Sequence, residues 1–159
     1  MYQRICYGFL VSYATYIDED PIHLAIATIN ITRGRLIQVN NNFFAIKNTI
    51  ARNTSAVEPM TAAIMDVCIE MVEVALDMLD ESDKEVEALL DCKEEDKALH
   101  INNAVLWVGV AVTDQGTCLD EFSNDGTPDF SVLGKHIKTF VFSRMNTTMS
   151  YTSNVFFSR

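Results

Sequence analysis

The residues best suited to acid–base or nucleophilic chemistry are three histidines, which are widely separated along the chain. They stand at His23, His100 and His136. Neither a Gly-x-Ser-x-Gly nucleophile motif nor a glycine-rich phosphate loop accompanies them. The sequence therefore gives little support to a hydrolase or to a nucleotide-binding site.

Carboxylates are abundant, and one series of them follows helical spacing. Its members are Asp66, Glu70, Glu73, Asp77, Asp80 and Glu81. The polar face of any amphipathic helix shows this spacing. We interpret the series as a solvated helix face rather than as the groups of an acid–base catalyst.

The four cysteines are Cys6, Cys68, Cys92 and Cys118, without a Cys-x-x-Cys pair or a histidine at ligand spacing. That pattern disfavours a zinc site, and the sequence predicts no metal or cofactor. If Cys68 and Cys118 lie on antiparallel neighbouring helices, a bridge between them closes a loop of about 50 residues and contributes roughly 4 kcal/mol. From the residues alone, this disulfide and the alternative, in which both cysteines are buried free thiols, are equally favoured.

Helices must position these groups, because apolar residues recur at spacings of three and four in four blocks. The first block begins after Asp20, which is predicted to be its N-cap, with Pro21 in the favoured first position. The second begins near Pro59, and the third is expected to begin at Asn102-Asn103 and to end before Asn124. The fourth extends over about 130–156.

Each block predicts a buried stripe. The stripes comprise Ile22, Ile26, Ile29, Leu36, Phe43 and Ile50; Ile64, Cys68, Met71, Ala75, Met78 or Leu79, Val86 and Leu90; Val105, Val108, Val112 and Leu119; and Leu133, Ile137, Phe140, Met145, Thr148, Thr152 and Val155. With 159 residues, six glycines and three prolines, the chain suits one all-α domain over 1–159. We predict an up-down-up-down antiparallel four-helix bundle.

Charge limits the partners. Twelve basic and twenty-two acidic residues give a net charge of −10, which disfavours nucleic acid and anionic membranes. The acidic segment 80–97 is interpreted as a solvated helix end and loop. No apolar run approaches the ~20 residues that a transmembrane helix needs.

Three stretches resemble one known family. Residues 107–122, WVGVAVTDQGTCLDEF, resemble the third-helix signature of plant pectin methylesterase inhibitors, and residues 62–79, AAIMDVCIEMVEVALDML, resemble the second helix. The opening 2–35 is similar to the family's N-terminal segment and its Asp-Pro entry to the first bundle helix.

The resemblance implies a four-helix bundle over 20–158 with an N-terminal helical hairpin, of which 1–19 is a remnant. The family's helix-to-helix disulfide maps onto Cys68 and Cys118. Cys6 matches the later cysteine of the family's hairpin disulfide, whose earlier cysteine is absent here, and Cys92 is additional. A bridge from Cys6 to Cys92 stays open as an alternative.

The implied function is inhibition rather than catalysis. Members of the family bind one to one across the substrate cleft of a wall-modifying hydrolase, either pectin methylesterase or acid invertase. The matching interface positions here are Glu70, Thr117 and Asp120. Invertase inhibitors often carry Pro-Lys-Phe in the link before the third helix, whereas 93–101 is KEEDKALHI, so pectin methylesterase is favoured as the target.

Two other functions remain as alternatives. The chain could be the pro-region of a pectin methylesterase, or a helical interaction module without inhibitory activity. The resemblance also implies an extracellular protein of the apoplast or cell wall, although no signal peptide is evident, since we read the first residues as the edge of the folded domain. Asn30, Asn53 and Asn146 stand in glycosylation sequons, and Asn53 is the favoured acceptor.

Overall fold

A helix N-cap fixes where the first long helix begins. In the computed structural model, which describes residues 8, 10–52, 59–123 and 139, the Oδ1 atom of Asp20 accepts hydrogen bonds from the backbone N–H groups of Ile22 (2.7 Å) and His23 (3.3 Å). These bonds satisfy donors that a helix start leaves unpaired. The predicted cap is confirmed.

All secondary structure in the described residues is helical, which confirms the all-α class. A short 3-10 helix, Val11–Tyr13, precedes α1 (Ala14–Ile17), α2 (Pro21–Arg52), α3 (Pro59–Ala88) and α4 (Glu94–Ser123). The predicted fourth bundle helix over 130–156 lies outside the described residues, except for Thr139, which is helical. None of the described helices is long and apolar enough to cross a membrane.

Helix α4 begins at Glu94, eight residues before the predicted start at Asn102. Its first turn holds Glu94, Glu95 and Asp96, and negative side chains at a helix N-terminus are stabilised by the helix dipole. Most of the segment 93–101 is therefore helix rather than link. Asn103 is inside the helix, and its amide donates to Glu85 (3.1 Å) instead of capping.

The three long helices of the described residues, α2, α3 and α4, run antiparallel in sequence order. Between α2 and α3, Arg33 forms an ion pair with Asp80, and Lys47 forms one with Asp66 (2.7 Å). The later residue of α2 thus pairs with the earlier residue of α3, so the two helices run in opposite directions. Between α3 and α4, Cys68 is bonded to Cys118, and Ser82 donates to the carbonyl of Ala104 (3.1 Å). This order is the one that an up-down bundle requires.

The core lies along the facing sides of these helices. Of the predicted stripes, Ile26, Ile29, Leu36, Phe43, Ile64, Cys68, Ala75, Leu79, Val86, Val108 and Leu119 are buried. Val105 and Leu90 are 38% and 52% exposed, so their predicted burial is wrong. The buried side of α4 instead carries Ala104, Ala111 and Gln115, whose small or polar side chains an apolar pattern overlooks.

Candidate binding surface

A disulfide joins α3 to α4 toward the ends of the two helices that lie away from their connecting turn. Cys68 and Cys118 are bonded, their Cα atoms are 4.7 Å apart, and both residues are fully buried. The pairing that the resemblance implied is confirmed. Cys92 lies in the turn between the two helices and is a half-buried free thiol. The alternative bridge from Cys6 to Cys92 is therefore wrong. Cys6 itself lies outside the described residues.

The three predicted interface residues lie within two residues of this disulfide, and all three are exposed. Glu70 follows Cys68 by two positions, while Thr117 and Asp120 flank Cys118. At ~100° per residue, Glu70 and Asp120 point about 200° away from their cysteines, out of the seam between the helices. The Thr117 hydroxyl donates to the carbonyl of Thr113 (3.1 Å), which fixes its side chain against α4.

The acidic series on α3 is divided by its partners on α2. Asp80 forms a two-point ion pair with Arg33, whose Nη2 lies 3.4 Å from Asp80 Oδ2, and Asp66 pairs with Lys47. The members between these two pairs are Glu70, Glu73 and Asp77, which are exposed. In the described part of the chain, this face therefore presents unneutralised carboxylates on the side of α3 that points away from the disulfide.

Two further carboxylates are partly buried, which the sequence pattern did not reveal. Burial raises the pKa of Asp114, whose Oδ2 atom is enclosed without a hydrogen-bond partner among the described residues. Burial also raises the pKa of Asp83, and the nearby charges of Glu87 and Asp80 add to the effect. Each lies on a different helix. No group of three His, Cys, Asp or Glu side chains suited to a metal ion occurs in the described ranges.

A polar network joins α3 to α4 beside the turn. His100 Nδ1 lies 2.6 Å from Glu85 Oε2, and Asn103 donates to Glu85 Oε1 (3.1 Å). The hydrogen bond with His100 is the main cause that lowers the pKa of Glu85. Sequence reasoning missed this network, because only the register between two helices brings residues 85 and 100 together.

Of the glycosylation candidates, only Asn30 is described. It is exposed within α2, and its side-chain amide donates to the carbonyl of Ile26 (3.1 Å). An acceptor inside a long helix is less suited to modification than one in a surface loop. Asn53 and Asn146 lie outside the described residues.

Comparison with known proteins gives a family match over almost the whole chain. The model of the plant invertase/pectin methylesterase inhibitor family matches residues 1–156. The "21 kDa protein" of Daucus carota is 30% identical over 131 residues, which are 79% of this chain and 62% of that protein. "Pectinesterase inhibitor 11" of Arabidopsis thaliana is 29% identical over 154 residues, which are 96% of this chain and 71% of that protein.

A solved structure shows the same fold. It is described as a mutant form of a pectin methylesterase inhibitor from Arabidopsis, and it superposes with a TM-score of 0.58 over 96% of this chain and 89% of its own. Its sequence identity of 16% supports a shared fold and nothing finer. The chain spans 62% of the carrot protein's length, so activity does not transfer with the fold.

Proposed function

Because the chain belongs to the plant invertase/pectin methylesterase inhibitor family, we propose that it inhibits pectin methylesterase and is not itself an enzyme. The family match over residues 1–156 carries this proposal, and a relative named as a pectinesterase inhibitor supports it. The inhibitor binds one to one across the enzyme's substrate cleft. Pectin is then excluded from the catalytic groups, so no reaction on the inhibitor is needed.

The contact surface is centred on Glu70, Thr117 and Asp120. Their exposure supports this assignment, as does their position beside the bridge between Cys68 and Cys118. A surface fixed by a covalent link loses less conformational entropy on docking than a mobile one. The carboxylates of α3 would also attract a basic cleft rim and so accelerate association.

Pectin methylesterase is a better target than acid invertase for this chain. The motif associated with invertase inhibitors contains proline, and proline is poorly tolerated inside a helix. Here residues 94–101 form the start of α4 and contain no proline. The corrected helix boundary therefore leaves only a short turn where that motif would stand.

The apoplast or cell wall is the proposed location. The family is extracellular in general, and disulfides persist in oxidising compartments. Pectin methylesterase acts on a wall polymer, so inhibitor and target would share this space. Asn53 remains the proposed glycosylation site.

Titration of purified enzymes with the oxidised protein tests the function. Residual pectin methylesterase and acid invertase activities are measured in parallel at mildly acidic pH. We expect stoichiometric loss of methylesterase activity alone. Loss of invertase activity alone would reverse the choice of target, and full activity of both enzymes beside a folded, disulfide-bonded sample would refute inhibition.

A further inference from the structure

The outer face of α4 carries two leucines that point away from the core. Leu99 is 58% exposed and Leu106 is 59% exposed, the largest values among the exposed large hydrophobic residues of the described chain. At ~100° per residue, both side chains point about 160–180° away from the buried Val108. No helix packed against the core side of α4 can therefore cover them.

A neighbouring exposed residue shows the contrast. Ile101 is 49% exposed, but it lies within about 20° of Val108 around the helix. It therefore belongs to the core-facing side and needs no partner molecule to explain it. The two leucines have no such explanation.

The leucines are continuous with the proposed contact surface. Leu99, Leu106, Thr113 and Thr117 follow one another at spacings of seven, seven and four residues, which keeps them on one side of a helix. This outer strip is about 27 Å long at 1.5 Å per residue. A standard interface of ~800 Å² on each partner has similar dimensions.

On these grounds we propose that the outer strip of α4 is part of the docking surface for pectin methylesterase, with Leu99 and Leu106 as its apolar anchors. The assignment rests on the proposed function and adds two contact residues to it. Buried apolar anchors carry much of the energy of protein complexes, whereas rim charges mainly affect association rates. The exposed carboxylate of Asp120, which follows Thr117 by three positions on the same helix, supplies the charged rim at one end of the strip.

A second copy of this chain fits the strip poorly. A symmetric antiparallel pairing that buries the whole strip from Leu99 to Thr117 is centred near residue 108, and it would bring Glu94, Glu95 and Asp96 of one copy near Asp120 and Glu121 of the other. Like charges facing each other across an interface are costly, and each copy carries a net charge of −10. A partner with a neutral or basic surface meets no such repulsion.

Paired alanine substitutions test the strip. The variant L99A/L106A is compared with I37A/F44A, which removes two exposed apolar side chains at the same seven-residue spacing from α2. We expect the first variant to raise the concentration for half-inhibition of pectin methylesterase roughly tenfold. The second should match the wild type in inhibition, and neither should change the melting temperature by more than about 2 °C, because all four residues are at the surface, with exposures of 39–59%.

Each contrary outcome is distinct. Inhibition unchanged in L99A/L106A, or weakened equally in both variants, would overturn the anchor assignment while the inhibitory function stands. If the wild type forms dimers and L99A/L106A is monomeric, the strip is a self-association surface instead. A folded wild type without inhibitory activity would refute the proposed function, and the anchor assignment with it. If L99A/L106A fails to fold, L106E replaces it and should weaken inhibition at least as strongly.

Discussion

At the scale of single residues, exposure and partners separate carboxylates that look alike in the sequence. Glu70 is solvated, Glu85 accepts two hydrogen bonds, and Asp114 has an enclosed oxygen with no partner in the described residues. The surroundings of Glu85 and Asp114 change how these two groups respond to pH. The sequence pattern predicted the solvated members but could not distinguish the other two, because helix pairing decides their surroundings.

Replacing Asp114 by Asn should stabilise the fold at neutral pH. Burial raises the pKa of Asp114, so the folded state disfavours its ionised form. The resulting destabilisation begins as pH rises past the unfolded value near 3.8 and is complete above the folded pKa. Thermal melts should show a gain of roughly 2–4 °C at pH 7, the shift that about 1 kcal/mol produces in a domain of this size.

The gain should disappear below about pH 3, where Asp114 is protonated in both states. D91N, at an exposed position in the turn, is the matched control and should leave the melting temperature unchanged. A D114N melting curve identical to the wild type at pH 7 would contradict the prediction.

Replacing Glu85 by Gln should have the opposite effect. The hydrogen bond with His100 lowers the pKa of Glu85, so its ionised form stabilises the folded state above the unfolded value near 4.5. That stability is lost as pH falls through the lower folded pKa. At pH 6, E85Q should have a lower melting temperature than the wild type, because a hydrogen bond worth about 1 kcal/mol is lost. This difference in melting temperature should shrink toward pH 3. A deficit that is constant from pH 6 to pH 3 would point to packing rather than charge.

At the scale of elements, local signals predicted helix starts well where side chains act on their own helix. Asp20-Pro21 and Pro59 placed the starts of α2 and α3 correctly. The start of α4 was misplaced because Asn102 and Asn103 resemble caps, whereas the acidic residues of 94–96 begin the helix. The buried side of α4 was only partly predictable, since alanines and Gln115 fill it.

Removing the cap of α2 should lower stability without changing the fold. D20A deletes the acceptor for the N–H groups of Ile22 and His23, and such losses cost about 1 kcal/mol. Chemical denaturation should show a correspondingly lower free energy of unfolding. D20N keeps a capping oxygen and should remain close to the wild type. Equal losses in the two variants would mean that the charge of Asp20, rather than its capping bonds, stabilises the helix.

At the scale of the whole molecule, the long helices are joined in unequal ways. Helices α3 and α4 share the disulfide, a buried hydrogen bond from Ser82 and the Glu85 network. The ion pairs that join α2 to α3 are half-exposed to solvent, and exposed ion pairs contribute about 0–1 kcal/mol. The family resemblance predicted the disulfide, but not this difference between the two helix pairs.

Substituting both Cys68 and Cys118 by Ala should lower the free energy of unfolding by roughly 2–5 kcal/mol. The bridge closes a segment with a sequence separation of 50, and its loss frees that segment in the unfolded state. Denaturation under non-reducing conditions measures the change. C92A is the control, because its thiol is free, and it should retain most of the wild-type stability. A stable double variant would mean that packing alone holds the two helices together.

The difference between the two helix pairs also determines the order in which backbone amide protons exchange with solvent. Helix α2 can detach through small fluctuations that leave the cross-linked pair of α3 and α4 intact, because only noncovalent contacts hold it. Its amide protons should therefore exchange with deuterium earlier than those around residues 68 and 118. The helix pair that carries the proposed docking surface then keeps its shape while α2 opens and closes.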